Sequence, residues 1–231
     1  IYNEDLTLET GWQIKHLNLD YREWFAGRET ARLQSKPKIY SAFINSTFKP
    51  MPLFYINSGI RIAKYNEYEN LMFDPKIGLK FNPTGNLALK LTVGQYSQFL
   101  YTINQEEELL RIVDFWQPIP KGQKPQKSIH YILGSEYWIS DGNTISIEAY
   151  YKDYSNIYDL NPAIDIADVE ATLALAGTAK SFGIEFLYRL KLNKLTGWIS
   201  YAYSQTERTV DLNSDGYIWD EKEKYPAKYN K

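Results

Sequence analysis

Residues 145–152 read Ile145-Ser146-Ile147-Glu148-Ala149-Tyr150-Tyr151-Lys152, an alternation that gathers apolar side chains on one face and most of the polar ones on the other. A β-strand points successive side chains to opposite faces, so one face can contact an apolar medium while the other stays in water. Eight further stretches between residues 12 and 204 alternate in the same way. The sequence therefore predicts an all-β chain built from antiparallel strands.

The connections between these stretches alternate between short and long. The short ones are rich in turn-forming residues and predict tight hairpins; they are Lys49-Pro50-Met51-Pro52, Pro83-Thr84-Gly85-Asn86, Ser140-Asp141-Gly142-Asn143 and Leu192-Asn193-Lys194. The long ones cover residues 22–37, 65–75, 97–127, 152–180 and 205–226. Short periplasmic turns at one end and long extracellular loops at the other are typical of a transmembrane β-barrel of the outer membrane. The first strand, over residues 12–21, changes face midway, which predicts either a β-bulge or a strand boundary that lies elsewhere.

Composition supports a membrane barrel and argues against several other classes. The chain has 20 Tyr and 6 Trp but only 2 His, and barrels place aromatic rings at both membrane interfaces. A net charge of −2 gives no indication of a nucleic-acid partner. The absence of Cys fits an exported protein without disulfides. No apolar run is long enough for a membrane-spanning helix.

The polar face of the predicted strands carries many charges and one large aromatic residue. A small closed barrel could not hold so many ions unless they paired, whereas a wide barrel with a wet or plugged lumen can. A soluble antiparallel sheet with one solvated face would show the same alternation, and only the order of connection lengths favours the membrane. The residues expected to face the lumen are Arg61, Lys90, Glu148, Glu185, Arg189 and Trp198.

Several segments resemble one family of outer-membrane proteins. The stretch 73–81 is similar to a strand entry of TonB-dependent receptors, and 148–154 is similar to one of their strand exits. Residues 177–186 resemble a further glycine-rich motif of the family. Leu195–Arg208, followed by Tyr225-Pro226-Ala227, resembles receptors of the Bacteroidota type most closely. The order of these motifs agrees with the predicted strands.

The resemblance implies a barrel of about 22 strands around an N-terminal plug domain. Residues 1–231 would then supply nine or ten strands of one barrel domain, as an internal part of a longer polypeptide. The plug and the remaining strands would lie outside this chain. Such a receptor sits among outer-membrane lipids of a Gram-negative bacterium and takes up a scarce siderophore, glycan, peptide or vitamin. The TonB complex drives this uptake through the plug.

Other functions remain open from the sequence. A passive or structural outer-membrane barrel would show the same strands, and so would a soluble β-rich binding module. No nucleophile–base pair or phosphate-binding loop occurs, so the sequence predicts no enzyme and no cofactor. Ligand contacts are expected on loops, from Phe99, Tyr101, Phe115 and Trp116; alternatively, Tyr101 and Trp116 mark the outer aromatic girdle.

The sequence also contains two histidines, an acidic group and a short charged segment. His16 and His130 are interpreted as lumen or interface residues rather than metal ligands. Asp165, Asp168 and Glu170 are interpreted as a solvated acidic loop rather than a cation site, and no metal site is predicted. Residues 105–112 predict a short charged helix within a long loop.

Overall fold

The computed structural model describes residues 2–3, 5–103, 115–119, 121–160, 174–210 and 224–226. Every regular element in these ranges is a β-strand, and none of them contains a helix long and apolar enough to cross a membrane. The strands are β1 (Tyr2–Asn3), β2 (Leu6–His16), β3 (Leu19–Phe25), β4 (Arg28–Ser35), β5 (Lys38–Met51), β6 (Phe54–Tyr65), β7 (Leu71–Thr84), β8 (Leu87–Gln98), β9 (Leu100–Ile103), β10 (Phe115–Pro118), β11 (Gln126–Ser140), β12 (Asn143–Leu160), β13 (Ala174–Leu192), β14 (Leu195–Val210) and β15 (Lys224–Pro226).

One sheet of 11 strands forms the wall of the structure, in the order β1-β2-β5-β6-β7-β8-β11-β12-β13-β14-β15. All of its neighbouring strands are antiparallel. Strands β3 and β4 form a separate hairpin, as do β9 and β10. This arrangement confirms the all-β fold with nine long antiparallel strands, and within the described ranges the sheet is open at β1 and β15.

Two-residue turns join the long strands at one end of the sheet, the turn end. They lie at residues 52–53, 85–86, 141–142 and 193–194, as the short connections predict. Gly142 has φ 84° and Asn193 has φ 45°, a left-handed backbone that tight hairpins need. The Asn143 side chain also accepts a hydrogen bond from the Lys191 N–H at 2.9 Å, which ties β12 to β13 beside their turns.

The strand register sorts side chains onto two faces, because residues paired across an antiparallel ladder share a face. One continuous row runs Ile77, Val93, Tyr131, Tyr151 and Phe182 across five strands. Most large apolar side chains of this apolar face are exposed. A broad exposed apolar surface indicates contact with another apolar medium, as on the lipid side of a barrel.

The polar face carries the charged residues, and it runs from the turn end to the opposite end of the sheet, the loop end. Its row from β7 to β13 reads Lys80, Lys90, Gly134, Glu148 and Glu185. The polar face therefore contains charges of both signs at one height of the wall.

The first strand differs from the prediction. Strand β2 ends at His16 and pairs with β5 without a register shift, so there is no bulge, and the predicted alternative, a different strand boundary, is confirmed. The change of face arises because Leu19 begins β3, in the separate hairpin. Arg22 and Asp20 form an ion pair there at 3.0 Å, and the Arg22 hydrogen bond lowers the pKa of the Asp20 carboxyl.

The strands also extend further into the loops than the alternation predicts. The connection predicted over 65–75 contains only residues 66–70, because β6 and β7 pair up to Lys64 and Leu71. Lys64 Nζ closes this short loop by donating to the Tyr68 carbonyl at 2.9 Å and to the Glu69 carbonyl. Alternation fades where a strand leaves the membrane, because both faces then contact water or loops.

An arginine on the apolar face should impair membrane folding. Leu133 lies near the middle of β11 and is 61% exposed on this face. We expect Leu133→Arg to cost about 2–4 kcal/mol, the range for arginine at a bilayer midplane. Ile132→Arg is the control, since Ile132 pairs with Thr92 and Tyr150 on the polar face. The measurement is the folded fraction of full-length protein in outer membranes; equal losses for both variants would contradict the assignment of faces.

Candidate functional site

All six residues predicted to face the lumen lie on the polar face. The ladder pairs from β6 to β14 connect these residues from strand to strand on the same side of the sheet. The structure thus brings Arg61, Lys90, Glu148, Glu185, Arg189 and Trp198 onto one surface. That this surface lines a lumen stays a prediction.

Two like-charged pairs stand directly opposite each other on this face. Lys80 pairs with Lys90 across β7 and β8, and Glu148 pairs with Glu185 across β12 and β13. Like charges in direct opposition destabilise a sheet. Lys90 Nζ is compensated by Glu136 Oε2 at 2.6 Å, and among the described residues neither glutamate of the second pair forms a salt bridge. The Glu148–Glu185 pair is therefore a negative site without a cation in the wall.

Arg61 belongs to a buried polar cluster with Asp74. Arg61 Nη1 lies 3.5 Å from Asp74 Oδ2, an ion pair without hydrogen-bond geometry, since Oδ2 has no hydrogen-bond partner in the structure as described. Ser97 Oγ donates to Asp74 Oδ1 at 2.6 Å. Asp74 is 5% exposed, so this pair serves the packing of the wall. Burial without a counter-charge would be costly for the carboxylate.

Near the turn end, Arg189 and Trp198 are cross-strand partners on β13 and β14. Trp198 is 71% exposed, which leaves its ring available for contact from the polar side. Higher on the wall, Lys152 Nζ lies 4.4 Å from the centre of the Tyr150 ring. Tyr150 itself lies over Gly183, where an added Cβ would come within 2.6 Å of its hydroxyl. Glycine at position 183 thus allows the tyrosine ring to lie flat on the wall.

The β9–β10 hairpin packs inward at the loop end and forms the main apolar core. Phe99 and Tyr101 are buried there, with Tyr65 and Phe99 ring centres 5.3 Å apart. Tyr101 contacts Tyr158 of β12 at 5.4 Å between ring centres. Burial raises the pKa of the Tyr101 hydroxyl, which keeps it neutral. The cluster comprises Ile39, Ala63, Tyr65, Phe99, Tyr101, Ile119 and Tyr158.

Hydrogen bonds attach both sides of this hairpin to the wall. The Tyr65 hydroxyl donates to the Ile119 carbonyl at 2.8 Å, and the Tyr158 hydroxyl donates to the Lys124 carbonyl at 2.7 Å. The side-chain amides of Gln98 and Gln126 both donate to the Leu100 carbonyl, at 2.8 and 3.3 Å. The hairpin is consequently held from β6, β8, β11 and β12.

A cavity of about 280 Å³ lies between the hairpin and the loop ends of β12 to β14. Trp116 and Tyr101, two of the predicted loop residues, line it, and Trp116 is 49% exposed. Phe99 is in the apolar core, and only the backbone of Phe115 is described. The lining consists of Gln98, Tyr101, Thr102, Trp116, Gln126, Tyr154, Ile157, Tyr158, Ala179, Thr206 and Arg208.

A family model for the TonB dependent receptor-like β-barrel matches residues 2–226. The chain belongs to this family. The match confirms the predicted family and, together with the continuous antiparallel sheet, the barrel fold. The protein is accordingly located in the outer membrane of a Gram-negative bacterium.

Solved structures of two receptors and one peptide transporter share this fold. The siderophore receptor PirA from Pseudomonas aeruginosa has a TM-score of 0.57 and 14% identity, over 90% of this chain and 42% of that one. The alcaligin receptor FauA from Bordetella pertussis has a TM-score of 0.53 and 14% identity, over 88% and 40%. The RagAB peptide transporter has a TM-score of 0.54 and 11% identity, over 78% and 23%.

This chain therefore spans less than half the length of these receptor chains. No curated protein matches it. Identities at this level show the fold of the TonB-dependent receptor barrel alone.

Sequence reasoning missed the residues that hold the receptor's hairpin in place. Tyr65, Tyr158, Gln98 and Gln126 carry no local signal, because their partners lie 26 to 54 residues away or depend on the inward fold of the hairpin. Residues 105–112 and Asp165, Asp168 and Glu170 lie outside the described residues. Within the described ranges, no group of His, Cys, Asp and Glu could hold a metal ion.

Removing the Tyr65 hydroxyl should loosen the β9–β10 hairpin. Tyr65→Phe deprives the fully buried Ile119 of its hydroxyl donor, at a cost of about 1–3 kcal/mol. We expect trypsin to cleave after Lys121 or Lys124 in outer membranes at least about fivefold faster, because local opening becomes more frequent. Tyr40→Phe, on the apolar face, is the control. Unchanged cleavage of the Tyr65 variant would show that the bond does not hold the hairpin.

Proposed function

We propose that this chain forms part of the barrel wall of a receptor for TonB-dependent active uptake of a scarce ligand. The main support is the family match over residues 2–226, together with one continuous sheet whose two faces differ in polarity. In this role the barrel makes and breaks no chemical bond. It holds the ligand and passes it inward.

The charges on the polar face favour a lumen that is filled by a folded plug domain rather than by bulk water. Glu148 and Glu185 face each other in the wall without a local cation, and their repulsion falls when a basic group docks between them. Exposed Trp198 and the flat Tyr150 ring offer adjoining contact area on the same face. A plug domain encoded by the same gene fits these requirements, and TonB would act on it from the periplasm.

The ligand would enter from the loop end, where the receptor's aromatic residues gather. Trp116 and Tyr101 line the cavity and would contact the ligand, while Phe99 supports them from the core. Phe115 pairs with Ile103 at the end of the hairpin next to residues 104–114, which connect its two strands. These four residues remain our candidates for ligand recognition, directly or through support.

Two alternative functions have less support from the structure. A soluble binding module would have to leave side chains such as Leu133, Ile199 and Tyr201 in water, at 61%, 65% and 63% exposure. In a passive barrel with an open lumen, the uncompensated Glu148–Glu185 pair would destabilise the sheet without serving a function. The receptor function accounts for both features.

Energy-dependent uptake tests the receptor function directly. We expect deletion of the gene to abolish uptake of one nutrient from a panel of labelled siderophores, glycans, peptides and vitamins. Inactivation of TonB should abolish the same uptake, since the lumen is blocked until the plug is pulled. Uptake that depends on the gene but survives loss of TonB would identify a passive barrel.

The acidic pair makes a separate prediction about the plug. Glu148→Gln combined with Glu185→Gln removes the negative site, so the plug should bind the wall less firmly. We expect increased sensitivity of cells to a large antibiotic such as vancomycin, because a loosened plug lets it pass. Glu67→Gln, in the loop after β6, is the matched control. Unchanged sensitivity with full protein levels would mean that the pair does not hold a plug.

A further inference from the structure

We propose that the cavity beside the β9–β10 hairpin binds one sugar unit of an uncharged oligosaccharide. The proposal rests on the receptor function and narrows its ligand class. The cavity has a volume of about 280 Å³, just below the roughly 300–1,000 Å³ of pockets that enclose a whole small ligand. It therefore suits one unit of a longer ligand that continues into the lumen.

The walls of this cavity are preformed. The hairpin is held by the Tyr65 and Tyr158 hydroxyls, at 2.8 and 2.7 Å, and by its apolar core. On the other side the cavity is bounded by β12, β13 and β14, which are continuous parts of the main sheet. A preformed site saves the ligand the cost of ordering loops.

The charge of the lining argues against a strongly ionic ligand. Arg208 is the single charged side chain among the described lining residues, and it already has an interaction partner in the structure. A ferric chelate with several negative charges would leave most of them unmatched, and an ammonium group would find no carboxylate. Burying unmatched charge is costly, so the lining favours a neutral ligand.

The polar groups of the lining match hydroxyl groups. The amides of Gln98 and Gln126 each donate one N–H to the Leu100 carbonyl, so among the described residues the second N–H of each remains as a donor and its oxygen as an acceptor. The Thr102 hydroxyl adds a group that both donates and accepts. Sugar hydroxyls also donate and accept, and can satisfy all three groups at once.

The aromatic side chains of the lining match the apolar C–H face of a sugar. Trp116 is half exposed and shares the lining with Tyr158 and Tyr154. Its flat ring offers a large contact area to the C–H face of a pyranose at small entropic cost. A peptide could add no strand to β12 or β13, because both are already hydrogen-bonded on both sides.

Calorimetry with the purified full-length receptor in detergent tests this assignment. The probes are neutral oligomers of glucose, mannose and xylose, a ferric catecholate and an uncharged peptide. We expect binding of at least one oligosaccharide, and a loss of about tenfold or more in its affinity for Trp116→Ala. Trp12→Ala, on the apolar face and 76% exposed, should leave the affinity unchanged. Heat-modifiable migration in electrophoresis verifies that both variants are folded.

Each other outcome overturns the proposal. Oligosaccharide binding that Trp116→Ala leaves unchanged would place the sugar elsewhere. Binding of the chelate or the peptide with loss in Trp116→Ala would assign the cavity to another ligand class, and no binding of any oligosaccharide would reject the sugar. Uptake that requires TonB for a different nutrient would leave the receptor function intact in all these cases.

Discussion

The structure depends on the need to pair every backbone N–H and C=O group within the bilayer, where no water can replace a partner. Each long strand is therefore hydrogen-bonded to its neighbour in sequence, through an antiparallel ladder closed by a short turn or a longer connection. Strand β13 has 19 residues, well beyond the roughly 9–11 needed to cross the hydrocarbon core. The surplus length carries the pairing out to the loop end and supports the hairpin.

Continuous pairing also determines which charges meet. Because paired residues share a face, the register that pairs the backbone N–H and C=O groups also places Lys80 opposite Lys90 and Glu148 opposite Glu185. Glu136 forms a salt bridge with Lys90, whereas Glu148 and Glu185 form none among the described residues. This unequal compensation supports the proposal that the wall contacts a plug held inside the barrel.

The β9–β10 hairpin changes the role of the longest loop. Instead of extending into solvent, it is anchored by tyrosine and glutamine side chains from the wall and supplies one side of a neutral, aromatic cavity. Fixed geometry and an almost uncharged lining favour selection of a ligand by shape, stacking and hydroxyl groups. We propose that the charged row nearer the turns, with Lys80, Lys90, Glu148 and Glu185, contacts the plug, so that recognition and coupling would lie at different heights of one wall.

The sequence by itself determined the strands, the tight turns and the faces, including the polar position of Arg61, Lys90, Glu148, Glu185, Arg189 and Trp198, because period and turn chemistry are local properties. It also carried the family resemblance. The tertiary structure alone decided that Leu19 begins a separate hairpin, that Glu148 meets Glu185, and that Tyr65 reaches Ile119. Register and the inward fold of a loop depend on partners distant in the chain, and a local pattern contains no record of them.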